Sequence, residues 1–392
     1  MDILGYQQPA GGFAAPCLPV RADRPWGTGQ GAMARRWPRP EKELRFYPRA
    51  RYAMAAALHQ FGVAPGDAVL LPSYHCLSLL APVLHLGARP VFYALDAELR
   101  PRMDSVKHVL GRQAGVRTVV ASHFFGRDAE LAALRALCDE HGLPLLEDCA
   151  HLHAAGVEWL AMPGRESIGR LGDLVVASPS KFVPALDGGL LWAGRGVERV
   201  LPAALPSPSW GQELRGFLSL MRPPARQALT QRFLQRKHVA SQQGEGSHLT
   251  AVDASSAGWA PAAEGRSGLR LSSHCLRRAD HEALGQRRRE HAARWIDALS
   301  RLLRVRPWVE NVKALGPAPY MLPVLVDEPA SAFAALKAIG FPLGRWDSLA
   351  RSDCEVAAAM RLGLFHLPCH QQLTGADMDW LCATFAAVVE SA

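Results

Sequence analysis

Short apolar runs alternate with stretches of helical period through the first half of the chain. Ala68–Leu71 is followed by a helical stretch at 75–86, Pro90–Tyr93 by one at 104–111, and Arg117–Ala121 by one at 128–141. Leu143–Leu146, Leu174–Ala177 and Gly189–Ala193 are three further apolar runs. Continuous apolar runs of strand length suit strands buried on both faces. Joined by helices of about ten residues or more, they predict an α/β fold, a mostly parallel sheet flanked by helices. Upstream, residues 49–61 are strong helix formers ended by Gly62, and Pro65-Gly66-Asp67 is a turn.

The second half is less regular. Residues 197–240 read as helical and basic, and 241–274, rich in Gly, Ser and Ala, as a long loop. Residues 277–303 predict one long helix with Ala292, Trp295, Ile296, Leu299 and Leu302 on one stripe. Met321–Val326 is a predicted strand, 329–338 a helix and 377–389 a terminal helix. The expected organisation is an irregular N-terminal arm (1–45), a large domain (46–240), a flexible loop (241–274) and a smaller C-terminal α/β domain (275–392). There is no internal repeat.

The length of 392 residues suits two domains, and 49% hydrophobic with 20% charged residues suits a globular chain with a sizeable core. The net charge of +8 is mostly arginine spread along the chain. It suits phosphorylated substrates, and no recognition motif accompanies it, so no nucleic-acid partner is expected. The eight cysteines (17, 76, 138, 149, 275, 354, 369, 382) form no CxxC pair, which argues against a disulfide framework or structural zinc and for a reducing compartment. Met1–Gly5 lacks the basic and apolar pattern of a signal peptide, and Pro72, Ser73, His75 and His85 interrupt the apolar stretch 68–88. No membrane association is expected, and the cytoplasm is the expected location.

Two residues carry the candidate chemistry. Lys181 stands in Ser178-Pro179-Ser180-Lys181-Phe182, directly after Leu174–Ala177 and before Asp187-Gly188-Gly189; Asp148 ends the run that begins at Leu143. Ligands of parallel sheets bind at the carboxyl ends of strands, where both residues fall. An amine and a carboxylate there suit pyridoxal 5'-phosphate (PLP), whose aldehyde takes a lysine and whose ring nitrogen pairs with an acid. Glu147 should point to the opposite face from Asp148. Cys149, His151 and His153 lack a fourth ligand of suitable spacing, so no metal is expected. Cys369 and His370, being adjacent, are poorly placed to converge as nucleophile and base.

Further segments, in order, extend this reading. Gly62–Ser73, Leu86–Phe92, His123-Phe124-Phe125-Gly126, Glu147-Asp148-Cys149-Ala150-His151, Gly172-Asp173, Ser180-Lys181, Asp187-Gly188-Gly189 and Leu367-Pro368-Cys369-His370 together resemble the DegT/StrS group of PLP-dependent aminotransferases. The resemblance covers roughly residues 46–195, with a weaker echo at 277–390. It implies fold type I, with a large PLP-binding domain and a smaller C-terminal one. The implied activity is amino transfer from glutamate or glutamine to a keto group, typically of a nucleotide-linked sugar. The implied assembly is a homodimer, with the arm and the segment after Lys181 as candidates to cross its interface.

By the same resemblance Lys181 holds the cofactor and moves the proton, and Asp148 pairs with the ring nitrogen. His151 stands where the family commonly has Gln, near the ring's phenolic oxygen. Arg49-Ala50-Arg51 replaces the usual Ser-Gly-Thr at the phosphate, with Ala50 and Arg51 as candidate contacts and Ser178 and Ser180 as candidate hydroxyl donors. Cys76 occupies the ring-stacking position, with His75 or Tyr74 as the alternatives. Two alternatives on the same fold are PLP-dependent elimination or dehydration, and a degenerate PLP-binding regulatory protein. Related dehydratases carry His in place of the lysine, which Lys181 argues against.

Overall fold

The computed structural model describes residues 2–4, 12–23, 43–153, 168–195, 201–221, 249–251 and 259–391. The order begins β1 (Asp2–Leu4), β2 (Leu44–Tyr47), α1 (Ala50–Gln60), β3 (Ala68–Pro72), α2 (Leu77–His85), β4 (Arg89–Tyr93), α3 (Met103–Arg112) and β5 (Val116–Ser122). It continues through α4 (Ala132–Glu140), β6 (Leu145–Cys149), β7 (Leu174–Ala177), β8 (Gly189–Ala193), α5 (Trp210–Met221), β9 (Leu249–Ala251), α6 (Arg270–Arg278) and α7 (His281–Leu299). The C-terminal part holds β10 (Val305–Pro307), β11 (Leu322–Val326), α8 (Pro329–Ala338), β12 (Leu349–Ala350), α9 (Glu355–Gly363), β13 (Leu364–Leu367) and α10 (Gly375–Ser391).

Seven strands form the main sheet in the order β2-β8-β7-β6-β5-β3-β4. Pairings from β4 through β7 are parallel, while β8 pairs antiparallel with both β7 and β2. This is the expected mostly parallel α/β sheet. Its two faces follow from alternation along each strand. Val69, Leu71, Val120, Leu146, Val176 and Leu191 pack beneath α1 and α2 through Ala53, Leu58, Leu80 and Val83. Leu70, Val119, Leu145, Val175, Leu190 and Trp192 lie in a second core with Leu134 and Leu137 of α4. Each fully buried Leu or Val contributes about 1.5–3 kcal/mol.

The chain steps from β3 outward to β4, then returns to the other side of β3 and proceeds through β5, β6 and β7. The reversal opens a crevice at the carboxyl ends of β3 and β5. A second, antiparallel sheet, β10-β11-β13, belongs to the C-terminal part, and a third joins β12, β1 and β9.

Several sequence expectations change. The helix expected over 277–303 is two: α6 ends at Arg278, Ala279 is extended, and Asp280 caps α7 by accepting from the Ala283 N–H. A capping aspartate supplies an acceptor for an orphan helix N–H. Within the loop expected at 241–274, Leu249–Ala251 is a strand and α6 begins at Arg270. Within the arm expected to be irregular, Asp2–Leu4 pairs with Leu349–Ala350 and with Leu249–Ala251. Leu44–Tyr47, at the boundary of that arm, completes the edge of the main sheet against β8. Of the stretch 197–240, α5 is the described helix, and residues 222–240 lie outside the described residues.

Candidate active site

A cavity of about 450 Å³ lies over the carboxyl ends of β3, β5, β6 and β7. Ala50, Arg51, Cys76, Asp148, His151, Ser178, Ser180 and Lys181 all line it, so the structure brings together every site residue expected from the sequence.

Lys181 ends a single turn of 3-10 helix (Pro179–Lys181) directly after β7, its N–H bonded to the Ser178 carbonyl at 3.0 Å. Two glycines allow this turn and α1 to meet. A Cβ on Gly188 would lie 2.6 Å from the Ser180 Cβ, and one on Gly189 would lie 2.4 Å from the Arg49 carbonyl carbon. Real Cβ atoms do not approach so closely, so the glycine pair sets the start of α1 against β8. Arg49 precedes α1 with extended backbone, and no side chain caps the helix.

Asp148 lies on the next strand, β6. Its carboxylate accepts from the Ala150 N–H at 2.9 Å and from the Ser122 hydroxyl at 3.2 Å. Burial raises its pKa, and the Lys181 charge is the largest influence working against that. Burial likewise lowers the Lys181 ammonium to about 8; Cys76 and Asp148 oppose the change, while Arg21 and Arg51 reinforce it. Both shifts have the same cause, removal of a charge from water.

Glu147 points the other way, as alternation requires. It is fully buried and accepts from the N–H groups of Gly169, Leu171 and Gly172 and from His123 Nε2 at 2.9 Å. His123 Nδ1 accepts from the Ala129 N–H. Among the described residues, His123, Glu147 and Cys149 form a cluster of metal-ligating type, with ligand atoms within 4.8 Å of one another. The hydrogen bonds just given already occupy the first two.

His151 is buried, its ring stacked 4.6 Å from Tyr320. Its Nδ1 accepts from the Phe125 N–H at 3.1 Å, which leaves the ring proton on Nε2. Burial holds its pKa well below the usual range, so it is neutral near pH 7. His153 instead pairs with His281 at 3.0 Å. The alternatives to Cys76 have other partners. Tyr74 is buried against His366 through a 3.2 Å hydrogen bond. His75, although on the cavity wall, stacks on Phe92, bonds the Pro72 carbonyl through Nδ1 and accepts from the Ala350 N–H through Nε2.

Arg21, Ser122, Tyr320 and Trp346 also line the cavity and were not singled out in the sequence. Ser122 was readable in principle, as the last residue of a strand neighbouring β6. The other three arrive from segments without periodicity, far from the motifs. The Lys181 amine sits 5.2 Å from the Tyr320 ring centre, and the Arg21 guanidinium 5.4 Å.

Residues 50–194 match the DegT/DnrJ/EryC1/StrS aminotransferase family. The matched segment runs from α1 through β8 and holds every predicted site residue. The chain is 32% identical over 142 residues to GDP-perosamine synthase of Vibrio cholerae, covering 36% of each protein. It is 29% identical to UDP-N-acetyl-3-dehydro-alpha-D-glucosamine 3-aminotranferase of Acidithiobacillus ferrooxidans, over 40% of this chain and 42% of that one. The matches thus span well under half the length of these curated relatives. In fold the likeness is wider. The aminotransferase TlmJ of Streptoalloteichus hindustanus superposes with a TM-score of 0.60 at 23% identity, covering 90% of this chain and 87% of that one. The putative sugar aminotransferase Spr1654 of Streptococcus pneumoniae, in its PLP form, gives 0.61 at 14% identity, with coverages of 89% and 87%. Among the described residues no helix is long and apolar enough to cross a membrane.

Proposed function

We propose that the chain is a PLP-dependent aminotransferase that moves an amino group from glutamate or glutamine to the keto group of a nucleotide-linked sugar or a related metabolite. The observation that carries this reading is Asp148 on β6 and Lys181 in the turn that follows the adjacent β7, both lining one cavity. The donor set suits the cofactor: an amine of lowered basicity, a carboxylate with its own hydrogen-bond partners, and an uncapped helix start beside two hydroxyls. A homodimer in the cytoplasm belongs to the same reading.

When bound, PLP supplies an aldehyde that takes up amino groups and a cationic ring that accepts an electron pair. Lys181 Nζ would hold the cofactor's aldehyde carbon, and the same amine would move a proton to and from the substrate carbon. The Asp148 carboxylate holds the proton on the ring nitrogen. His151 donates from Nε2 towards the ring's oxygen. The Ala50 N–H at the start of α1, the Arg51 guanidinium and the hydroxyls of Ser178 and Ser180 hold the phosphate, with the helix dipole adding to the attraction. Cys76 forms the wall beside the ring.

The deciding experiment is reconstitution with PLP followed by addition of glutamate. A visible absorbance band should appear on reconstitution and shift to shorter wavelength on adding the donor, and mass spectrometry should find aminated product from a keto-sugar nucleotide. Protein that takes up no PLP overturns the reading, and a band unmoved by any amino donor favours elimination or a degenerate site.

The lowered basicity of Lys181 gives a pH signature. A free amine is the reactive form, so the second-order rate of PLP attachment to unloaded protein should rise about tenfold per pH unit below about 8 and level off above it. Stopped-flow absorbance measures this rate. A profile still rising through pH 10 would mean that burial does not lower the Lys181 pKa.

A further inference from the structure

The segment 12–23 runs as a strap over the C-terminal part of its own chain. Phe13 meets Phe333 edge to face at 5.7 Å, and the Cys17 N–H donates to the Gly340 carbonyl at 2.8 Å. The Pro19 carbonyl bonds His370 Nε2 at 2.9 Å, and the Asp23 N–H donates to Gln372 Oε1 at 2.9 Å. Anchors therefore lie on both sides of Arg21, two residues before it and two after. They hold it at the mouth of the cavity, exposed, with its guanidinium over the Tyr320 ring that Lys181 also approaches.

Among the described residues lining the cavity, Arg21, Arg49, Arg51 and Lys181 are basic and Asp148 is the carboxylate, itself hydrogen-bonded by Ser122 and the Ala150 N–H. Arg49 and Arg51 belong to the start of α1, where Arg51 serves the phosphate in the reading above. Arg21 comes from a different part of the chain, and among the described residues no carboxylate pairs with it. A planar guanidinium at the entrance suits a carboxylate, which it can bind through two parallel hydrogen bonds. An α-amino acid carries its carboxylate on the same carbon as its transferable amine. A cation that anchors it must share the lysine's cavity, and Arg21 and Lys181 both line it and both approach the Tyr320 ring, at 5.4 and 5.2 Å from its centre.

We propose that Arg21, delivered by the strap 12–23, anchors the α-carboxylate of the amino donor and so restricts the donor to amino acids over simple amines. The inference rests on the aminotransferase reading of the cavity. Arg21 is exposed, so solvent screens the contact and the expected effect is about tenfold, not several orders of magnitude.

The test uses the PLP-loaded protein and its Arg21→Gln and Arg21→Lys variants. Calorimetric titration with succinate, a dicarboxylate with no amine to transfer, should give a dissociation constant about tenfold higher for Arg21→Gln, partly restored in Arg21→Lys. PLP retention should be the same in all three. The apparent KM for glutamate should rise with turnover unchanged, and the response to propylamine should not move. Succinate affinity equal in wild type and Arg21→Gln, or succinate binding absent from both, overturns the proposal while leaving the PLP reading intact. Wild-type protein that takes up no PLP overturns both together.

Discussion

Replacing Lys181 by alanine is expected to lower amino transfer by about three orders of magnitude and to abolish the visible band of the loaded protein. Lys181 is the one lysine among the described residues lining the cavity, and burial lowers its amine to about 8, so far more of it is free near neutral pH than of an exposed lysine. The guanidiniums of Arg21, Arg49 and Arg51 cannot replace it, because an arginine keeps its proton at any accessible pH. The variant should keep its fold. Lys181 ends a three-residue turn of 3-10 helix, and its backbone bond to Ser178 does not depend on the side chain. Single-turnover assays with glutamate, alongside absorbance spectra, measure both effects. Retention of a tenth or more of the wild-type rate by Lys181→Ala would remove the lysine from the chemistry.

The neighbouring strand gives the second large effect, on stability. Glu147→Ala should destabilise the protein by about 3–5 kcal/mol, because it removes a fully buried acceptor shared by four donors: the Gly169, Leu171 and Gly172 N–H groups and His123 Nε2. The loop 168–172 loses its attachment to β6, and His123 is left with an unpaired ring N–H. Asp148→Asn, one residue on, keeps the shape and a hydrogen-bond acceptor at a position facing the cavity, and should cost far less. Urea titration of the two variants against wild type separates them. Equal losses would contradict the division of labour between Glu147 and Asp148.

That division is legible in the sequence, because successive residues of a strand point to opposite faces. The sheet is legible from its continuous apolar runs: the ends of β3 to β8 each fall within three residues of those of an apolar run. The C-terminal part was less legible. Its sheet is antiparallel and short-stranded, and β10 and β13 are only three and four residues long, below the length at which periodicity carries a signal. The break between α6 and α7 leaves no mark in the periodicity, because the arginine-rich, amphipathic pattern continues across it. Asp280 was the available mark, an N-cap residue inside an apparent helix.

Glycines at 188 and 189 illustrate how the two kinds of information divide. The sequence shows two small residues after a candidate lysine. Only the fold shows what they admit, the Ser180 backbone at one and the Arg49 carbonyl at the other. The sequence by itself determined the sheet, the lysine and aspartate at its edge, and the chemistry those two groups suit, because each depends on residues close together along the chain. The tertiary structure alone decided what closes the cavity. Arg21, Tyr320 and Trp346 reach it from segments separated by up to about 300 residues, held by single hydrogen bonds and ring contacts. Such long-range contacts leave no period in the sequence, since they are fixed by how packed elements meet and not by any local preference of the residues involved.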